Sequence, residues 1–187
     1  DYLFNVPVML SPALDTFHIG ATVQVKMEFS INMEDQISGN IIDMYGFPFN
    51  TELNIAKLDT NPAFCGNILV EYVEEVGNID LLPLSIGCLL VKANFANSDG
   101  RFVFSTKIIF QQEGLFGFGV NSVFLDEYKE SIVDNCYTNS VNINYILNPI
   151  GGDANFDFLQ SSFDKEKREL ARQEFDVVSG FVYWVKK

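Results

Sequence analysis

The sequence predicts a mainly β chain, folded as an antiparallel β-sandwich with one late peripheral α-helix. Three observations carry that prediction. After a turn at Gly20 the chain alternates, with Ala21, Val23, Val25, Met27 and Phe29 on one face and Thr22, Gln24, Lys26 and Glu28 on the other. This is the period-2 pattern of a half-buried antiparallel strand. About eight to ten short β-prone runs follow one another, punctuated by Gly, Pro, Asn and Asp. Eighteen Phe and seven Tyr bring the aromatic content to 14%, a composition suited to sheet-on-sheet packing.

The elements follow in order. Tyr2 to Leu10 is an apolar β-prone run, and Pro7 inside it cannot donate to a ladder, so it reads as an edge strand or one that switches sheets. Ser11 to Asp15 is a loop, and the alternating strand comes next. Ser38-Gly39-Asn40 is a turn with β on either side, and Tyr45-Gly46-Phe47-Pro48-Phe49 is an aromatic loop. Leu53, Ile55 and Lys57 alternate with Asn54, Ala56 and Leu58. Asn67 to Val76 is a strand that turns acidic at its end. Leu81 to Val91 is the most apolar stretch, short and interrupted by Pro83 and Gly87, and reads as a buried strand rather than a membrane helix, which needs about 20 residues. Leu84 to Phe95, the turn Asn97-Ser98-Asp99-Gly100 and Arg101 to Phe110 read as a hairpin. Gly117 and Gly119 leave one face of an aromatic strand bare, so a backbone or a bulky side chain is expected against it. Asp126 to Glu130 is a short polar or helical patch, and Val141 to Ile146 alternates again. Ser161 to Phe175 is rich in helix formers and opens on Ser161 and Asp164, spaced as in a capping box. Gly180 to Val185 is a final strand.

No linker divides the chain, and 187 residues suffice for one core, so residues 1–187 read as a single domain. Twenty-five acids against twelve bases give a net charge of −13, which repels nucleic-acid phosphates and anionic lipid. The sequence opens abruptly on Asp1-Tyr2-Leu3-Phe4, so a leader or linker is expected upstream. Cys65, Cys88 and Cys136 are too widely spaced for a metal knuckle or redox pair. Buried free thiols are the first reading and one disulfide with a thiol left over the second.

Candidate chemistry is sparse. His18 is the only histidine and sits at the head of a framework strand, which argues against a Ser-His-Asp triad and excludes a multi-histidine zinc site. Asp153-Ala154-Asn155-Phe156-Asp157 opens like a calcium loop, with Asp164 at its twelfth position. Phe158 stands where such a loop needs Gly, so a plain polar loop is the simpler reading. Tyr45, Phe47, Phe49 and Trp184 form a candidate sugar-stacking or protein-docking patch, weighed against a place in the core. No cofactor is implied.

Leu14-Asp15-Thr16-Phe17-His18-Ile19-Gly20-Ala21-Thr22-Val23 resembles the lead-in to the second strand of bacterial immunoglobulin-like domains. Glu113-Gly114-Leu115-Phe116 and Ser179-Gly180-Phe181-Val182-Tyr183 resemble the approach to their later strands. Gln36-Ile37-Ser38-Gly39 followed by Phe47-Pro48-Phe49 is similar to the layout of uncharacterised surface or periplasmic lipoproteins of Bacteroidota. The resemblance implies an immunoglobulin-like sandwich in an exported, non-enzymatic binding or scaffold module. It further implies a lipid anchor outside this sequence and protein partners in an outer-membrane or cell-surface complex. A carbohydrate-binding module of a polysaccharide-uptake system is the alternative, and a hydrolase using paired carboxylates is a third reading.

Overall fold

The computed structural model describes residues 1–49, 51–84, 87–122, 141–149, 155–170, 172–177 and 180–187. In chain order its strands are β1 (Tyr2–Ser11), β2 (Thr16–His18), β3 (Thr22–Ser30), β4 (Asn32–Glu34), β5 (Ile41–Asp43), β6 (Thr51–Lys57), β7 (Phe64–Cys65) and β8 (Val70–Val76). They continue as β9 (Asn78–Leu84), β10 (Cys88–Asn94), β11 (Ala96–Ser98), β12 (Arg101–Phe110), β13 (Gly114–Ser122), β14 (Val141–Pro149) and β15 (Phe181–Lys186). Two 3-10 turns, Gly66–Leu69 and Phe156–Ser161, and two short helices, α1 (Lys165–Arg168) and α2 (Arg172–Val177), complete the described residues.

Thirteen of the strands form two layers, and β4 and β5 pair separately as a two-stranded antiparallel sheet. The first sheet runs β11-β12-β3-β1-β14, with β8 also on β12. The second runs β2-β15-β13-β6-β10-β9, with β7 on β6. β3 lies inside the first sheet with its alternation intact: Val23, Val25, Met27 and Phe29 are buried. Across the gap they meet Leu53 and Ile55 of β6 and Phe116, Phe118 and Val120 of β13 in one apolar cluster. Each such side chain contributes about 1.5–3 kcal/mol when fully buried. Aromatic groups close both ends. Phe29, Phe49, Phe95 and Phe102 touch at one, and Phe17, Phe110, Phe116 and Tyr183 at the other. The layers are also bolted by a hydrogen bond, 2.6 Å, between the buried hydroxyls of Tyr145 on β14 and Thr51 on β6.

The sandwich departs from the expectation in five places. It is not purely antiparallel, since β1 pairs parallel with β14 and β15 parallel with β2. β1 is an interior strand, but it meets β3 only at Met9 to Ser11, so the missing N–H of Pro7 falls where no β3 partner exists. The hairpin at Asp99-Gly100 joins β11 to β12, whereas β10 belongs to the other sheet and the chain changes layer at Phe95. Leu81 to Leu84 belongs to the exposed strand β9 rather than a buried strand, because Pro83 and the lack of an outer neighbour among the described residues place it at the sheet margin. The late helix is broken into α1 and α2. Ser162 Oγ donates to the Leu58 carbonyl at 2.8 Å and Asp164 Oδ2 accepts from Ala63 N–H at 2.8 Å, fixing the start of α1. Phe175 is held elsewhere, on Phe156 and over Gly180, where any Cβ would meet its ring at 2.5 Å. Those separate anchors outweigh the propensity of one continuous helix.

Cys65 and Cys88 form a disulfide, which corrects the free-thiol expectation for that pair. Cys136 and the patch from Asp126 to Glu130 lie outside the described residues.

Candidate functional site

The two outer faces of the sandwich differ in kind. On the first sheet, β3, β12 and β8 present a web of charges. Lys26 Nζ lies 2.6 Å from Glu28, which Arg101 also pairs, and Lys107 Nζ lies 2.6 Å from Glu75. Gln24 Nε2 and Ser105 Oγ donate to the same Glu75 carboxylate. Hydrogen bonds from Lys107, Gln24 and Ser105 hold its carboxyl at about 2. The charges dominate this face, with exposed Met9, Val73, Val76 and Ile146 between and beside them.

The second sheet is different. Residues directly opposite each other in a ladder share a face. One polar row crosses it, Asp80 on β9, Lys92 on β10, Glu52 on β6 and Asn121 on β13. Next to it the face turns apolar. Leu82 lies opposite Leu90 and Leu84 opposite Cys88, whose disulfide leads to Cys65, Ala56 and Gly117. Leu82 and Leu84 are each 46% exposed, and Leu81 on the rim is 48% exposed. Phe64 and Ile68 add exposed apolar surface on the adjoining segment. Contiguous apolar exposure of this kind marks interaction surfaces.

This face leads into a groove of about 520 Å³. Its floor includes Ala56, Gly117 and the buried Gly119, and the Leu58 side chain is the bulky group against Gly117, where a Cβ would meet it at 3.2 Å. Its far wall is the C-terminal segment, which supplies Leu159, Leu170 and Phe175. Asn155 Nδ2 pins that segment to the Val182 carbonyl at 2.9 Å, and the Ser162 and Asp164 bonds pin it to Leu58 and Ala63. Among the described residues the groove holds one carboxylate, Glu52, beside the amides of Asn54 and Asn121, and one ammonium, Lys167. Burial pushes the Glu52 carboxyl up, and a hydrogen bond from Asn54 opposes the shift. Among the described residues no cation forms an ion pair with Glu52.

The four aromatic candidates are not brought together. Tyr45 is 75% exposed in the turn after β5. Phe47 lies 4.7 Å from Phe49, and Phe49 is buried against Phe29 and Phe102. Trp184 is half-buried on β15, near the other end of the sandwich, where its backbone N–H donates to the Asp15 backbone carbonyl. Phe49 is therefore core, as β3 and β12 leave room there for a ring between Phe29 and Phe102.

Of the calcium candidates, Asp153 lies outside the described residues. Asn155 has left-handed backbone (φ 56°) and leads the 3-10 turn that contains the exposed Asp157. Asp164 caps α1, its two oxygens accepting from Ala63 N–H and Glu166 N–H, and the Ala63 bond leads in holding its carboxyl below the usual range. His18 Nδ1 lies 3.0 Å from the Lys187 carbonyl, tying the C-terminal strand to β2. Glu52 and Asn54 were not singled out by sequence reasoning. Their signal was their place on the polar side of the β6 alternation, opposite the strand whose glycines were noticed.

No family model matches the chain, and no curated protein matches it. Among solved structures it is similar to a type II cohesin domain from the cellulosome of Acetivibrio cellulolyticus, at 10% identity over 74% of this chain and 91% of that one, with a TM-score of 0.29. It is also similar to the type II cohesin dyad from the adaptor ScaA scaffoldin of the same organism, at 12% identity over 63% of this chain and 37% of that one, with a TM-score of 0.26. Likeness at this level carries no statement about function.

Proposed function

We propose that the chain is a non-catalytic binding module of an exported protein, and that it docks a protein partner through the outer face of the second sheet. In its fuller form the reading makes it a lipid-anchored accessory subunit of an outer-membrane or cell-surface complex. One observation carries it, the exposed Leu82 and Leu84 on the outer face of β9, the edge strand among the described residues, beside Leu90 and the disulfide. Apolar surface beside a polar row, on a strand that is at the sheet edge among the described residues, is the composition of a protein interface. The Cys65–Cys88 disulfide supports an oxidising compartment, since such bonds persist outside the cytosol. The carbohydrate alternative retains only Tyr45 as a fully exposed ring of the four candidates.

The test is a native pull-down from the source membrane, with the captured protein identified, purified and rebound. Wild type is expected to bind the purified partner directly, and the Leu82→Glu/Leu84→Glu double variant to lose it. Both substitutions sit on the surface, so stability should stay within about 0.5 kcal/mol per site. Equal binding by the variant, or a protein that leaves the membrane with no partner, overturns the reading.

A further inference from the structure

We infer that the groove on the second sheet receives an extended, apolar segment of the partner that carries a basic side chain, with its ammonium or guanidinium seated on Glu52. The inference rests on the docking reading above and names the partner's chemistry. Three features support it. The groove runs along β6 from Glu52 toward Leu58, roughly 20 Å at strand rise, the length of about six extended residues. The amides of Asn54 and Asn121 offer donors and acceptors that a segment's peptide groups need when they leave water. Finally, Glu52 is a half-buried carboxylate that forms no close ion pair among the described residues, with Lys92 standing opposite it on β10. A ligand cation placed there removes the cost of its desolvation. The net charge of −13 steers cations toward the molecule and turns away anionic lipid and nucleic acid.

The probe is a fluorescein-labelled hexapeptide, Arg-Ser-Leu-Ser-Val-Ser, which puts one basic and two apolar side chains on one face. Its control has Glu in place of Arg. By fluorescence anisotropy the arginine peptide is expected to bind saturably with a Kd below about 1 mM, and the glutamate peptide at least about tenfold more weakly. Glu52→Gln should abolish that preference, and Ala56→Leu, which fills the floor, should abolish binding of both. Glu52→Gln serves as its own folding control: it removes a carboxylate that burial already disfavours, so it should melt no lower than wild type. The inference falls if the two peptides bind alike, if Glu52→Gln keeps the preference, or if no saturable binding is seen up to about 1 mM. The docking reading is judged separately on Leu82 and Leu84. Partner binding that depends on those leucines while the peptides fail to bind leaves that reading standing and removes this one.

Discussion

Asn67 does with one side chain what a strand does with its backbone. It sits in the Gly66–Leu69 turn, 2% exposed, between β6 and β10 where their ladder has ended. Its Oδ1 accepts from Ile55 N–H at 2.9 Å and from the Tyr72 hydroxyl at 2.8 Å. Its Nδ2 donates to the carbonyls of Leu53 at 3.3 Å and Leu89 at 2.9 Å. Removing it strands several buried polar groups together. Asn67→Ala is therefore expected to cost about 3 kcal/mol in urea unfolding, with an unchanged m-value. A loss under about 0.5 kcal/mol would mean that water replaces the amide. In the sequence Asn67 looks like the first residue of an acidic strand. Its partners lie 14 and 22 residues away, and no local period encodes a side chain that bridges two strands. Phe49 failed for the same reason: an aromatic in a Pro-containing loop reads alike whether it faces solvent or turns back between Phe29 and Phe102.

At the scale of elements, period-2 alternation was legible wherever one face is core and the other is water, as in β3, β6 and β12. It misled where the second face meets more protein or where a strand ends a sheet. β9 is apolar without being buried, and the run from Lys165 to Phe175 is rich in helix formers yet broken by its anchors at Leu58 and Gly180. The disulfide belongs at this scale too. It ties β7 to β10 across a sequence separation of 23, beside the gap that Asn67 bridges. Cysteine spacing alone left free thiols and one disulfide as alternatives, since pairing depends on which strands become neighbours. Closing a loop of this length stabilises by about 3 kcal/mol in the chain-entropy account. The Cys65→Ser/Cys88→Ser variant should lose about that much in urea titration, and a reduced wild type should match it. Equal stability of the oxidised wild type and the variant would show that the neighbouring ladders hold β7 and β10 together unaided.

At the scale of the molecule, the decisive feature is that its two exteriors are unlike, one a charged web and the other apolar around β9 and the groove. At neutral pH the charge of −13 keeps copies apart whatever the apolar face would favour. Near the isoelectric point, about 4.3, that repulsion vanishes. The fold should persist there. Glu75 is held at about 2, and Asp35 likewise, chiefly by hydrogen bonds from the Ser38 hydroxyl and Leu3 N–H. Both pKa values lie below the unfolded carboxylate values of about 4, so each contributes stability that is full well above that range, declines as pH falls through it and is gone below about 2, and most of it remains at the isoelectric point. Association at pH 4.3 is thus association of folded protein, and its adhesive is the second sheet. Sedimentation velocity should show a monomer at pH 7 and larger species near pH 4.3, with the circular dichroism spectrum unchanged between them. Leu82→Ser/Leu84→Ser, which leaves the isoelectric point alone, should shift that equilibrium back toward monomer. If the variant associates as strongly as wild type, the adhesive surface lies elsewhere and the asymmetry of the two faces loses its functional meaning.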